Sequence, residues 1–213
     1  DASGAEYFTV HTHANQHAGY FPGAQPVHIL MHVGADGRIL GAQAVGADGV
    51  DRRIDVIATA MRAGLSATDL IDLDLAYAPP YGQAKDPVNQ TGMVAHNVMT
   101  GELVLTGPDA LSEDMPVLDV RTPGEYAAGH MPNSLNIPHT QLRDRLDEVR
   151  AWVDETVGDQ PFVVMCAAGV RSWIGYRIVR HAGFTVTMLS GGIQTLRAWL
   201  GEKADSVLVK GEG

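Results

Sequence analysis

Between residues 117 and 189 three short runs are almost wholly apolar: Val117-Leu118-Asp119-Val120, Phe162-Val163-Val164-Met165 and Val186-Thr187-Met188-Leu189. A strand with one wet face alternates, whereas an unbroken apolar run must be buried on both faces, as in a parallel sheet covered by helices. The intervening sequence supplies the helices. Leu142, Leu146, Val149 and Val153 fall on one side of a helix between the first two runs, and a second helix is expected from Ser172 to His181. Strands alternating with helices imply right-handed crossovers and an α/β layer structure. Open parallel sheets bind ligands beyond the carboxyl ends of their strands, and Cys166 directly follows one of them.

The first half has a different rhythm. Tyr7-Phe8-Thr9-Val10-His11 is a β-prone run, and Gly19 to Gly23 reads as a turn. Val27–Val33 and Ile39–Val45 flank Gly34-Ala35-Asp36-Gly37-Arg38, whose Asp-Gly step favours an antiparallel hairpin. Ile54, Ile57, Ala58 and Met61 give a helical face within Val50–Ala63, with Gly64 as its stop. A second helix is expected from Ala67 to Leu73 with Ser66 as N-cap, and a third from Val88 to Met99. Three prolines between Pro79 and Pro87 exclude regular structure there and require a shaped loop. This half is α+β, an antiparallel sheet with helices. With 213 residues available, the seam near Thr106-Gly107-Pro108 divides the chain into domains 1–103 and 104–213.

Fifteen basic and twenty-five acidic residues give a formal charge of −10 without a basic stripe, which argues against nucleic acid as a partner. No apolar run is long enough to span a bilayer and no leader opens the chain, so the expected location is cytoplasmic. The chain opens at Asp1 rather than Met, and its first residues read as the interior of a fold, the expectation for a fragment. Its single cysteine rules out an internal disulfide framework.

Cys166-Ala167-Ala168-Gly169-Val170-Arg171-Ser172 joins a buried strand to a helix. The thiol is therefore expected to face loop amides and a helix N-terminus, which favour an anion. Beside Arg171 a thiolate would be favoured and nucleophilic, and the amides could hold an anionic substrate or a terminal persulfide sulfur. The bland alternative is an inert core thiol.

Leu118-Asp119-Val120-Arg121, Glu125-Tyr126, Gly129-His130-Met131-Pro132, Ser134-Leu135-Asn136-Ile137-Pro138, Cys166 to Arg171 and Leu189-Ser190-Gly191-Gly192 together resemble the single-domain rhodaneses. That resemblance implies a sulfurtransferase in which Cys166 becomes a persulfide and Arg171 helps bind the donor. Ala167, Ala168, Gly169, Val170 and Ser172 would form the cradle, with Asp119, Arg121, Glu125 and His130 as a supporting network. It also implies a sulfane-sulfur donor, such as thiosulfate, polysulfide or CoA persulfide, and a thiol acceptor. Cys-dependent phosphatases and arsenate reductases are disfavoured, because phosphatases place the arginine six positions after the cysteine and here it is five.

Asp74 to Asn89, with Tyr20-Phe21-Pro22-Gly23 and Asp51-Arg52-Arg53-Ile54-Asp55, resembles the dimerisation domain of pyridine-nucleotide disulfide oxidoreductases of the CoA-disulfide reductase and NADH oxidase type. The resemblance implies a homodimer in which Tyr20 and Tyr77 reach the partner subunit's redox site. Packing alone is the competing role for these tyrosines. Lys85, Asp86 and Asn89 are read as fixing the loop. With no Gly-rich dinucleotide fingerprint and no second cysteine, this chain is expected to bind no cofactor; FAD and NAD(P)H are implied for an N-terminal part outside it. His11, His13 and His17 lack an acidic or thiol companion, so no metal site is expected. Met61, Met93, Met99 and Met165 read as core filler. The opposing functional reading is a dimerisation and interaction module whose rhodanese fold no longer turns over.

Overall fold

The computed structural model describes residues 6–211, and the chain divides into two compact units between Leu103 and Val104. In the first unit, β1 (Tyr7–Asn15), β2 (Pro26–Gly34) and β3 (Ile39–Gly46) form an antiparallel sheet in the order β1-β2-β3. β1 runs four residues beyond the Tyr7–His11 stretch legible in the sequence. Val27, Ile29, Met31 and Val33 alternate into the core along β2. The hairpin turns on Gly37 at φ +84°.

Helix α1 (Val50–Arg62) ends in a double closure: Gly64, at φ +76°, donates to Met61 O and Leu65 donates to Ala60 O. Its buried positions are Arg53, Ile57 and Ala60, whereas Ala58 is exposed, so the inward face is rotated from the one expected. The cause is Arg53, which enters the core as an ion pair. The Ala67–Leu73 helix is corrected to one 3₁₀ turn, Asp69–Asp72. Its N-cap is Thr68 rather than the expected Ser66, whose N–H and hydroxyl instead donate to Asp69 Oδ2 just ahead of the turn. The turn cannot extend because Asn89 Nδ2 donates to the carbonyls of Leu70, Ile71 and Leu73. Residues 73–86 contain no helix or strand. Asp86 caps α2 (Pro87–Met99), exchanging hydrogen bonds with Asn89 in a capping box with Pro87 in the first turn. Met165 is fully buried, but Met99 is exposed, a correction to its reading as core.

The second unit contains a five-stranded, all-parallel sheet: β4 (Leu105–Thr106), β5 (Val117–Asp119), β6 (Ser134–Asn136), β7 (Phe162–Met165) and β8 (Val186–Leu189), ordered β4-β8-β7-β5-β6. A short helix α3 (Pro123–Ala127) follows β5. The helix expected around Leu142 begins later, as α4 (Leu146–Trp152), continued by a π-type turn through Val157. Leu142 is buried, but in the turn before it. Helix α5 (Val170–His181) follows β7 and packs closely through Gly175, where a Cβ would stand 3.1 Å from Val120 and 3.3 Å from Val164. Helix α6 (Gly192–Leu200) follows β8, and Ile193 and Leu196 cover Val117, Val163, Met165 and Leu189. A last short helix, α7 (Ala204–Val207), precedes Val209, which bonds back to His130 in both directions.

Candidate active site

Cys166 lies immediately past the carboxyl end of β7, 1% exposed. Gly169 N–H donates to its Sγ at 3.2 Å. The Ser172 hydroxyl accepts from the thiol at 3.4 Å while donating to Gly169 O at 2.8 Å. Gly169 itself sits at φ +111°, a conformation rare for residues bearing a side chain, and leads straight into the N-terminus of α5. The thiol thus faces a glycine amide and the positive end of a twelve-residue helix, where an anion is favoured. From the other side α6 closes on the loop: Ile193 N–H donates to Cys166 O and Gln194 N–H to Ala167 O. Ala167 and Ala168 are half-buried and Val170 is exposed, so the approach to the sulfur has small apolar walls.

Arg171 does not extend free into this loop. Its two terminal nitrogens donate to the two carboxylate oxygens of Glu125, at 2.7 and 2.6 Å, across 46 residues of chain. Glu125 is held from its own side too, because it closes the capping box of α3 with Thr122. The guanidinium, with the Thr122 donors second, holds the Glu125 carboxyl down at about 2, and Glu125 in turn raises Arg171. Asp119, fully buried at the end of β5, takes Arg121 Nη2 at 2.6 Å and the Arg121 backbone N–H at 3.0 Å. The same guanidinium donates to Glu125 O and Gly129 O. His130 stacks on Tyr126, centroids 3.7 Å apart, with Nδ1 against Tyr126 O. These residues tie the 119–130 connection together, and Glu125 links that connection to the cysteine loop through Arg171.

In the first unit, the Tyr20 and Tyr77 hydroxyls meet at 3.2 Å, and both rings are exposed. That bond raises the Tyr20 pKa. The segment carrying Tyr77 is held by two arginines that the sequence pattern does not single out as site residues. Arg52 donates to Ala76 O and Tyr81 O. Arg53, 2% exposed, pairs with Asp86 at 2.7 Å and donates to Gly49 O and Gln16 O. Arg53 could have been suspected from its position on the inward helical stripe, although a charge there is ordinarily read as exposed. Lys85 contributes its carbonyl, to Gln90. His13 faces His28 across β1 and β2, Nδ1 to Nδ1, and burial, then His28, lowers it to about 3. Among the described residues no three His, Cys, Asp or Glu side chains form a group that could hold a metal ion.

Residues 1–87 match the pyridine nucleotide-disulphide oxidoreductase dimerisation domain, and residues 107–198 match the rhodanese-like domain. The chain is a fusion of these two domains. It is 42% identical over 94 residues to the coenzyme A disulfide reductase of Staphylococcus haemolyticus, covering 44% of this chain and 21% of that protein. The structure of reduced Bacillus anthracis CoADR-RHD superposes with a TM-score of 0.87 at 39% identity, over 96% of this chain and 36% of that one. A NAD-dependent persulfide reductase from A. fulgidus superposes at 0.81, also 39% identical, over 91% and 35%. The fusion is therefore related to coenzyme A disulfide and persulfide reductases, and it spans only about a third of those solved chains.

Proposed function

We propose that the fusion is the C-terminal part of a flavin-dependent disulfide or persulfide reductase, with residues 1–103 as its dimerisation domain and residues 104–213 as a sulfurtransferase working through a Cys166 persulfide. The observation that carries this reading is the position of Cys166 Sγ, at a parallel-strand end, bonded by Gly169 N–H at 3.2 Å and facing the N-terminus of α5. A thiolate there attacks the outer sulfur of a donor. With thiosulfate, the Cys166 S–S bond forms, the donor S–S bond breaks, and sulfite leaves with the electron pair. With an organic persulfide, the leaving group is the thiolate RS⁻. A thiol acceptor then attacks the terminal sulfur and Cys166 leaves as the thiolate. The persulfide anion is held as the thiolate was, by the loop amides and the helix dipole. Thiosulfate, polysulfide and CoA persulfide are the donors considered, and the last is suggested by the relatives' coenzyme A chemistry.

FAD and NAD(P)H, on which the parent family depends, do not fit the residues present. Three strand-to-helix turns carry glycine. Before α1, the space of a Cβ at Gly49 is filled by Arg53 Nη1 at 2.5 Å and Gln16 Cβ at 3.2 Å. At Gly192 the space of a Cβ is filled by Cys166 O at 2.5 Å and Ala167 C at 2.8 Å, and in the turn from Cys166 to Gly169 the thiol itself sits. None of the three leaves room for a pyrophosphate, so these cofactors belong in this reading to sequence outside the chain. Dimerisation through the first unit would carry Tyr20 and Tyr77, exposed and able to donate, toward a partner's redox centre.

The test is intact mass spectrometry after incubation with thiosulfate or polysulfide, then with a thiol. A one-sulfur adduct that needs Cys166, is absent in Cys166→Ser and vanishes with the thiol supports transfer. A folded protein that never takes up sulfur would leave a docking module instead.

A further inference from the structure

Arg171 is the only charged residue between Cys166 and Ser172, and it is the natural attractor for an anionic donor. Yet both of its terminal nitrogens are committed to Glu125, and Glu125 is fixed by Thr122 at the head of α3. The pair is only partly screened by solvent, its side chains being 26% and 37% exposed. A bidentate carboxylate–guanidinium fork with a second anchor on the carboxylate does not open cheaply. An incoming donor therefore meets a neutral pair and the amide dipoles rather than a bare cation. On α5, Val170 is 63% and Ile174 43% exposed, one helical turn apart, and Ile174 also lines a hollow with Arg143, Trp173, Arg177 and His181.

We infer that Glu125 sets the donor preference of the Cys166 site: by neutralising Arg171 it disfavours a dianion such as thiosulfate relative to an organic persulfide, which carries one negative charge at its reacting sulfur and can lay its R group on Val170 and Ile174. This inference rests on the sulfurtransferase reading. It makes Glu125 a specificity-determining residue that acts through Arg171 and does not touch the reacting atoms.

The experiment measures second-order rate constants for loading Cys166 in the full chain, by quenched intact mass, with thiosulfate and with cysteine persulfide. Glu125→Gln frees the guanidinium and is expected to raise the thiosulfate-to-persulfide ratio about tenfold, with the gain falling as NaCl is raised. Arg171→Gln, which leaves Glu125 uncompensated, is expected to lower the ratio by about the same factor. The double variant Glu125→Gln/Arg171→Gln is again neutral, so its ratio should return to that of the wild type. A merely structural role would change both donors in parallel and leave the ratio and its salt dependence where they were, which overturns the inference. If Glu125→Gln does not fold, the double variant set against Arg171→Gln decides it: removing Glu125 as well must raise the ratio, and an unchanged ratio overturns the inference. Failure of the wild type to load from either donor defeats the underlying reading, and the inference with it; loading from both with an unmoved ratio defeats the inference alone.

Discussion

Replacing Asp86 by Asn should destabilise the first unit far more than so small a change suggests. Asn keeps the shape, can still accept from Val88 N–H, 3.1 Å from Oδ1, and can keep the exchange with Asn89, so little of the helix cap is lost. What goes is the counter-charge of Arg53, whose side chain is 2% exposed and takes both of its carboxylate contacts from Asp86. Leaving one partner of a buried ion pair uncompensated costs about 3–5 kcal/mol. For a unit of this size, with roughly 4–8 °C of melting temperature per kcal/mol, the drop should be at least roughly 12 °C. Trp152, Trp173 and Trp199 all lie in the second unit, so tryptophan fluorescence follows that unit while far-UV circular dichroism follows both. Asp86→Asn should move an early dichroism transition and leave the fluorescence transition in place. Adding Arg53→Met, which removes the stranded charge, should recover more than half of the loss. A dichroism shift equivalent to less than about 1 kcal/mol, or no recovery in the double variant, would refute the charge argument.

Gly192→Ala should damage the cysteine loop from the opposite side. The residue stands at φ +64° and its Cβ would lie 2.5 Å from Cys166 O, so left-handed strain and a backbone clash combine to cost about 2–4 kcal/mol, read by fluorescence melting, with slower sulfur loading. Wild-type melting and loading would count against this packing account. Acid should weaken the first unit through His13. Its folded pKa of about 3 lies below the ordinary 6.5, so its contribution is fully present above pH 6.5 and is lost as pH falls toward 3, with His28 shifted in the same direction. His13 adds a slope of at most about 1.4 kcal/mol per pH unit. Dichroism melts between pH 7 and 4 should show it, and His13→Phe should flatten the dependence; an equally steep variant would contradict the assignment.

Legibility followed the range of the forces. The β2–β3 hairpin, α1, α2, β7 and α5 announce themselves through periodicity, the Asp-Gly turn and the glycine stop, all local signals, although Pro87, read as loop, is the first residue of α2. Strands β4 and β6, of two and three residues, are too short to show a period and exist because β8 and β5 offer them an edge. The failed extension after Ser66 turns on Asn89, a side chain 16 to 19 residues away that claims the carbonyls. The site shows the same division. Cys166 and its loop could be read from a strand–loop–helix pattern, whereas the pairing of Glu125 with Arg171 belongs to the tertiary fold, and the sequence pattern alone leaves Arg171 open to a donor.

The first turn of α6 carries a consequence of its own. By donating to the carbonyls of Cys166 and Ala167, it occupies two of the loop's acceptors. A reactive sulfur anion is repelled by carbonyl oxygens as surely as it is attracted by amide protons. The helix after β8 therefore gives the pocket its polarity by subtraction: it adds no charge, but it sequesters the negative ends of two peptide groups that would otherwise be free to swing toward the nucleophile.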